Sequence, residues 1–173
     1  LNAFTIKAYD GTTASSSAVQ VQVSVAAVND APTLAAISNL AAVLEDAGQQ
    51  TINLSGISAG DAESQTLTIT ATSSNTGLIP NPTVTYTSPN ATGTLAYTPV
   101  ANASGSATIT VIVSDNGGTA NGGISAVTNT FTVAVTAVSD APAGTDKTIT
   151  INEDTGYTFA AADFGFTDAS DSP

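Results

Sequence analysis

Apolar and polar residues alternate along most of the chain, which is the pattern of β-strands with one buried face. In QTLTITATS, residues 65–73, the apolar residues share one side and the threonines share the other. The same period of two, rich in β-branched residues, recurs in VQVQVSV (19–25), ATITVIV (107–113) and TFTVAV (130–135). No segment shows a convincing helical period. The pattern predicts an all-β fold.

Seven strands are predicted in the middle of the chain, separated by clusters of turn residues such as IPNP, SPNATG and DNGGTANGG. They lie near residues 34–40, 50–55, 65–73, 83–87, 93–98, 106–114 and 128–136. Seven short strands with turn signals at this spacing indicate a β-sandwich of two sheets. If successive strands run antiparallel, the odd number places the two ends of the unit at opposite poles, and units then follow one another end to end.

The chain also contains an internal repeat with a period of about 107 residues. Four acidic positions mark it in the same order, within segments of similar sequence and at offsets between 105 and 110 residues. The pairs are Asp10 with Asp115, Asp30 with Asp140, Glu45 with Glu153, and Asp61 with Asp168. Four such signals in one order are hard to obtain by chance, so the repeat is the strongest prediction from the sequence.

The repeat divides the chain into three parts, because its period is the size of a small sandwich domain. Residues 1–28 are predicted to end one module, residues 33–138 to form a complete module, and residues 143–173 to begin a third. Neither end piece carries enough apolar area to fold alone. We expect each to pair with flanking chain or with a neighbouring copy. Because the chain opens without a start Met or a basic leader, we expect it to belong to a longer protein.

Composition excludes several classes of function. Two basic residues face fourteen acids, and the resulting net charge of −12 repels nucleic acids and anionic lipid heads. The lack of His and Cys excludes zinc sites built on them and also Ser-His-Asp triads. No stretch approaches the roughly twenty apolar residues of a membrane span. The chain has no Trp to stack on sugar in a glycosidase cleft, and we predict that it is not an enzyme.

The acids themselves are concentrated in the repeated signals, since only Asp146 and Asp163 fall outside them. By the predicted strands, most lie in loops or at strand ends, and several gather where two modules meet. Oxygen ligands on flexible loops are what Ca²⁺ accepts, so one hypothesis is a Ca²⁺ site at each junction. The alternative is that these acids are solvated turn residues that cap their own backbone.

The runs VLEDAG, GDAESQTLTITATSSN and TPVANASGSATITVIVSDNGG, with an ending like VNDAP, resemble the bacterial cadherin-like and immunoglobulin-like tandem repeats of giant surface adhesins. This resemblance implies β-sandwich modules, export to the cell surface and, often, Ca²⁺ at the junctions. The cadherin linker motif is matched at Asn29 and Asp30, although its first Asp is replaced by Ala27. The L-D-R-E motif is missing, which favours one weakly bound ion per junction.

Further ligand positions follow from the same resemblance. The acidic pair that opens the next cadherin module is matched by Asp61 and Glu63, and again by Asp168 with a displaced Asp171. Glu45 and Glu153 match an early glutamate that serves the junction at the far end of its own module. The complete set of predicted metal ligands is Asp10, Asn29, Asp30, Glu45, Asp61, Glu63, Asp115, Asp140, Glu153, Asp168 and Asp171.

The leading hypothesis from the sequence is a non-catalytic spacer, built of tandem modules, in an extracellular or cell-surface bacterial adhesin or fibre. Its partners are adjacent modules of the same chain and neighbouring copies. The alternative is a module that binds glycan or protein through the loops at 74–82 and 115–127, or that binds carbohydrate through Ca²⁺ or through Tyr86 and Tyr97. Because residues 115–127 are mostly Gly, Asn and other small residues, the spacer is favoured.

Overall fold

The computed structural model describes residues 2–61 and 63–168, and in this part of the chain every regular element longer than three residues is a β-strand. The strands are β1 (Asn2–Ile6), β2 (Val19–Gln22), β3 (Val43–Leu44), β4 (Gln50–Ser55), β5 (Thr68–Ser73), β6 (Thr83–Thr85), β7 (Thr92–Tyr97), β8 (Gly105–Ser114) and β9 (Ala126–Thr136). Two short 3₁₀ turns are also present, at Ala120–Gly122 and Ala161–Asp163. None of the described helices is long and apolar enough to cross a bilayer. The all-β prediction is confirmed.

Strands β3 to β9 form two sheets around one hydrophobic core. The four-stranded sheet has the order β3-β9-β8-β5, and the three-stranded sheet has the order β4-β7-β6. Neighbouring strands are antiparallel except β3 and β9, which are parallel. The predicted sandwich is therefore the observed architecture.

The core is the inward side of the alternating strands. In β8 every second residue is buried, and the residues between them remain at least partly exposed. A fully buried aliphatic side chain contributes about 1.5–3 kcal/mol relative to an exposed one. The four-stranded sheet supplies Ala107, Ile109, Val111, Val113, Phe131, Val133 and Val135, and the three-stranded sheet supplies Ile52, Leu54, Leu95 and Tyr97.

The predicted strand at 34–40 is wrong, because this segment crosses from one sheet to the other. Its first residues lie beside the three-stranded sheet, where the Ala35 amide donates to the Ser55 carbonyl at 2.9 Å. Farther on, the segment bonds through side chains to β9, since the Thr132 amide donates to Asn39 Oδ1 at 2.8 Å. Ladder pairing begins only at Val43. Apolar and polar residues therefore alternate at 34–40 because the segment is partly buried, although no strand pairs with it along its length.

Strand β5 begins later than predicted for a similar reason. The backbone amides of Thr66 and Leu67 donate to the side chains of Asn116 and Ser88, each at 3.0 Å. These bonds replace ladder bonds, so the predicted strand at 65–73 shortens to Thr68–Ser73.

From Phe4 to Ile6 the hairpin β1–β2 reproduces the register of β8–β9, whereas the register is shifted between Asn2 and Phe4. Facing pairs in the hairpin are Phe4 with Val21 and Ile6 with Val19. Facing pairs in the sandwich are Ile109 with Phe131 and Val111 with Asn129. The first strands differ by 105 positions and the second strands by 110, which are the offsets of Asp10 from Asp115 and of Asp30 from Asp140.

The segment after residue 142 likewise repeats the start of the sandwich. An isolated antiparallel bridge joins Ala143 to Thr167, just as one joins Thr33 to Ser58. The glycine two positions before each of the bridge residues Thr167 and Ser58 has a left-handed backbone, with φ of 57° at Gly165 and 65° at Gly56. Both ends of the chain thus repeat local geometry of the central sandwich.

Candidate functional site at the two ends of the sandwich

Asn29 holds together the end at which the chain enters the sandwich, which we call the entry end. Its Nδ2 donates to Asp115 Oδ1 at 3.0 Å and to the Ile124 carbonyl at 2.7 Å. Its Oδ1 accepts from Gln65 Nε2 at 2.6 Å. The Ile124 amide returns a bond to the Asn29 carbonyl at 3.1 Å. One amide side chain therefore ties the incoming chain to the β4–β5 connection and to the β8–β9 loop.

Two further residues of the predicted set meet at the same end. The Asp30 amide donates to Glu63 Oε2 at 3.2 Å. Gly117 leaves room for the Asn29 side chain, which a Cβ at this position would overlap. The Gly117 amide also donates to Asp115 Oδ1 at 2.9 Å. Asn29, Asp30, Glu63 and Asp115 therefore form one cluster at the entry end, and their role as metal ligands stays a prediction.

The entry end offers two oxygens that a cation could use. Asp115 Oδ2 and Gln65 Oε1 are buried and have no hydrogen-bond partner among the described residues. However, within residues 2–61 and 63–168 no group of three or more acidic side chains lies close enough together to hold a metal ion. Ca²⁺ takes six to eight oxygens. The oxygens at the entry end are therefore too few to hold Ca²⁺ by themselves.

Glu45 lies at the opposite end, which we call the exit end. Its side chain is only 3% exposed, and Oε1 accepts from the Val138 amide at 2.7 Å. Its own amide donates to the Thr136 carbonyl at 3.1 Å. The carboxylate therefore holds the chain as it leaves β9. Glu45 therefore lies at the end opposite Asn29, and its role as a metal ligand stays a prediction.

Six predicted ligands remain. Asp10, Asp61, Glu153 and Asp168 are exposed, Asp140 is partly buried just beyond β9, and Asp171 lies outside the described residues. For Asp10 the structure favours the turn-capping alternative. Its Oδ1 accepts from the Thr13 amide at 2.8 Å and from the amide and hydroxyl of Thr12, both at 3.0 Å. These bonds, that of Thr13 first, lower the pKa of Asp10 below its usual value.

Two contacts escape a search restricted to the repeated acidic signals. Gln65 is neutral, and its bond to Asn29 spans 36 residues of sequence, so no local signal marks it. Asp163 lies outside the repeated signals, yet it accepts from the Tyr157 hydroxyl at 2.8 Å and forms an ion pair with Lys147 at 3.2 Å. The bond from the Ala160 amide is the main cause that lowers the pKa of Asp163.

The central sandwich matches a known family. A family model described as a bacterial Ig domain matches residues 29–136, a range that runs from the entry-end Asn29 to the last residue of β9. No curated protein matches the chain significantly.

Among solved structures, the chain is similar to the crystal structure of domains 4 and 5 of the S-layer protein SbsC. The identity is 18%, the TM-score is 0.36, and the match covers 69% of this chain and 59% of that chain. The chain thus spans less than two-thirds of the length of this neighbour.

Proposed function

The chain belongs to the bacterial Ig domain family, and from this premise we propose that it is a non-catalytic structural spacer. It serves in tandem with further modules in a large bacterial protein of the cell surface or the extracellular space. The chain then comprises the end of one module (1–28), a complete module (33–138) and the start of a third (143–173). The observation that supports this role most is that the chain enters and leaves the sandwich at opposite ends.

The separation of the two ends follows from the direction of β8 and β9. Asn29 is bonded to the β8–β9 loop, where β8 ends and β9 begins. Val138 is bonded to Glu45 beyond the other end of β9. The ten residues of β8 span about 33 Å at a rise of about 3.3 Å per residue. Modules joined through such ends extend a rod by their full length.

A series of tandem proteins tests the spacer role. We expect the maximum dimension from small-angle X-ray scattering to rise by about 35 Å for each added module, which is roughly the length of β8 plus a loop. Proteins with one, two and three copies of residues 29–142 give the comparison, and a control set joins the same copies through a flexible Gly-Ser linker. A compact particle whose maximum dimension does not grow steadily with module number would contradict the spacer.

The proposal also includes a Ca²⁺ ion at the junction between two successive modules. Asp115 Oδ2 and Gln65 Oε1 of one module would hold the ion together with water and oxygens of the preceding module. Bound there, the ion would neutralise carboxylate charge and limit bending between modules. The expected dissociation constant is that of extracellular modules generally, about 10⁻⁴ to 10⁻³ M.

Thermal melting of the two-copy tandem protein tests the ion. Binding to the native state alone should raise the melting temperature with calcium concentration, and a chelator should reverse the rise. Asp115→Asn should remove the dependence, whereas Asp61→Asn, at an exposed residue outside the cluster, should retain it. A melting temperature that stays constant across millimolar calcium would contradict the proposed Ca²⁺ site but not the spacer role.

The alternative function, binding of glycan or protein, finds less support in the sandwich. Tyr97 is 4% exposed, and burial raises the pKa of its hydroxyl. Tyr86 packs against the core as a partly buried residue. Neither ring is presented as a platform on which a sugar could stack. In the loop at 115–127, Asp115 and Ile124 are engaged by Asn29.

A further inference from the structure

The loop between β8 and β9 contains both Asn-Gly pairs of the sequence, Asn116-Gly117 and Asn121-Gly122. A glycine after asparagine leaves its backbone nitrogen unhindered, because glycine has no Cβ. We infer that Asn121 is a site of spontaneous deamidation, that the fold protects Asn116 from the same reaction, and that the products at residue 121 loosen the entry end. This inference does not depend on the spacer role, because it uses only contacts at the entry end of the sandwich.

The reaction uses only groups of the chain and water. The Gly122 amide nitrogen attacks Asn121 Cγ, and the bond from Cγ to Nδ2 breaks. Nδ2 leaves as ammonia with the proton of the Gly122 amide, and a cyclic succinimide remains. Water then opens the ring at either of its carbonyl carbons, which gives aspartate or isoaspartate. Both products carry a negative charge that Asn121 lacks.

Asn116 is held so that both of its reacting groups are occupied. Its Oδ1 accepts from the Thr66 amide at 3.0 Å. The Gly117 amide, which would be the attacking group, donates to Asp115 Oδ1 at 2.9 Å. The same Asp115 oxygen accepts from Asn29 Nδ2 at 3.0 Å, so the cluster at the entry end fixes it in place. Reaction at Asn116 therefore requires that both hydrogen bonds open first.

Asn121 lacks these restraints. Its side chain is exposed and makes no hydrogen bond within residues 2–61 and 63–168. The backbone around it is the single 3₁₀ turn Ala120–Gly122, in which Asn121 is left-handed with φ of 56° and ψ of 25°. This conformation is uncommon for residues other than glycine, and so short a turn is held by few hydrogen bonds. The exposed turn should therefore open readily and let the Gly122 nitrogen reach the side-chain amide.

The products at residue 121 act on the entry end through the residues that follow. The amide and carbonyl of Ile124 both bond to Asn29, and a Cβ at Gly123 would meet Asn29 Cβ at 3.0 Å. Isoaspartate inserts its Cβ into the main chain, which displaces this closely packed segment. Either product also adds a negative charge to the loop that carries Asp115, and the chain has only two basic residues to offset it. Both effects weaken the contact between the loop and Asn29.

Peptide mapping of the full 173-residue chain after incubation in mildly alkaline buffer tests the site. Digestion on the amino side of Asp gives the peptide 115–139, which contains both Asn-Gly pairs. In the native chain we expect Asn121 to convert about ten times faster than Asn116, because two ordinary hydrogen bonds must open at Asn116. In guanidinium chloride, where the fold is lost, the two rates should be similar. Equal rates in the native chain, or no conversion at Asn121, would overturn the inference.

A longer chain shows whether a preceding sandwich alters the site. Residues 1–136 followed by residues 27–173 duplicate the central sandwich and join the copies at the repeat offset of 110 residues. The same digestion distinguishes the copies by mass, because the first peptide ends in Asn29 and the second ends in Ser139. We expect Asn121 of the second copy to convert at a rate similar to that in the parent chain. Protection there as strong as that of Asn116 would overturn the inference.

NMR spectra and thermal melting of the incubated chain test the effect on the entry end. Conversion should shift the side-chain amide resonances of Asn29 and lower the melting temperature of the sandwich. The control Asn121→Gln deamidates far more slowly, so both properties should stay constant over the same incubation. Conversion that leaves the Asn29 resonances and the melting temperature unchanged would overturn the proposed loosening.

Discussion

The strand pairs β8–β9 and β1–β2 share their register over Ile109–Val111 and Phe4–Ile6, but they differ in what covers them. In β8–β9 the inward side chains meet the three-stranded sheet and are buried, as at Val111 and Val133. The corresponding residues, Ile6 in β1 and Val23 just after β2, are about half exposed. The shared register is therefore encoded by the local alternation of apolar and polar residues, whereas stability comes from the opposing sheet. The comparison can be tested position by position.

The largest expected difference is between Ile109→Ala and Phe4→Ala. Ile109 is fully buried, so its truncation leaves a cavity and should reduce the free energy of unfolding by about 3 kcal/mol. Phe4 occupies the same place in the hairpin but is more than half exposed, and its truncation should change stability by less than about 0.5 kcal/mol. Urea unfolding at a protein concentration where the chain is monomeric measures both. Equal losses would show that the hairpin is part of a covered core.

The next difference contrasts Glu45→Ala with Glu153→Ala. Removing the Glu45 carboxylate leaves the Val138 amide without its acceptor in a buried setting, at an expected cost of about 2 kcal/mol. Glu153 is exposed, and its substitution should fall within about 0.5 kcal/mol of the parent. Both free energies come from the same urea titration. If Glu153→Ala lowered the free energy of unfolding of the monomer as much as Glu45→Ala does, the stabilising role assigned to the Glu45 contact at the exit end would be contradicted.

A smaller effect is expected in the loops. Asp115 is followed two residues later by Gly117, which leaves room for Asn29, whereas the corresponding Asp10 is followed by Thr12. Gly117→Ala should displace Asn29 and destabilise the sandwich by about 1–2 kcal/mol. The control is Gly48→Ala, where a Cβ meets nothing within 4 Å. Chemical-shift changes at the Asn29 and Gln65 side-chain amides would report the displacement, and their absence would contradict it.

The smallest effect concerns the exposed loop of the hairpin. The pKa of Asp10 lies below its ordinary value because Thr13 and Thr12 donate hydrogen bonds to its carboxylate. A lowered native pKa stabilises the turn at pH values above the ordinary pKa, and this contribution is lost as pH falls through the lowered value. Thr12→Ala removes the hydroxyl bond and should move the pKa of Asp10 upward. Carboxyl-carbon NMR titration measures the shift, and an unchanged pKa would show that the backbone amides alone set it.

Alternation and repeats in the sequence predict much of this fold, because both depend on neighbouring residues. Strands β4, β8 and β9 lie within a residue or two of their predicted bounds, and the predicted sandwich is observed. The failure at 34–40 has a long-range cause. Its backbone acceptors are taken by the side chain of Asn129, more than ninety residues away, which bonds to the carbonyls of Leu34 and Ala35. The alternation of apolar and polar residues along the sequence cannot reveal such a distant partner.

The candidate site was harder to predict than the fold. Counting acids located the entry-end residues Asp30, Glu63 and Asp115, but these do not form a carboxylate cage in the described chain. The centre of the network is the neutral Asn29, and its amide nitrogen already satisfies one oxygen of Asp115. Which side chains converge at an end is set by loop geometry and by glycines such as Gly117, and these are tertiary properties.

The parallel pairing of β3 with β9 has a mechanical consequence. When the two ends of the sandwich are pulled apart, β3 is drawn toward the entry end and β9 toward the exit end. The two strands then slide past each other, so the Val43–Leu44 ladder and both Glu45 bonds are strained together instead of opening one after another like a zipper. This small group of bonds at the exit end is therefore loaded in shear, and it must break before the sandwich extends under tension.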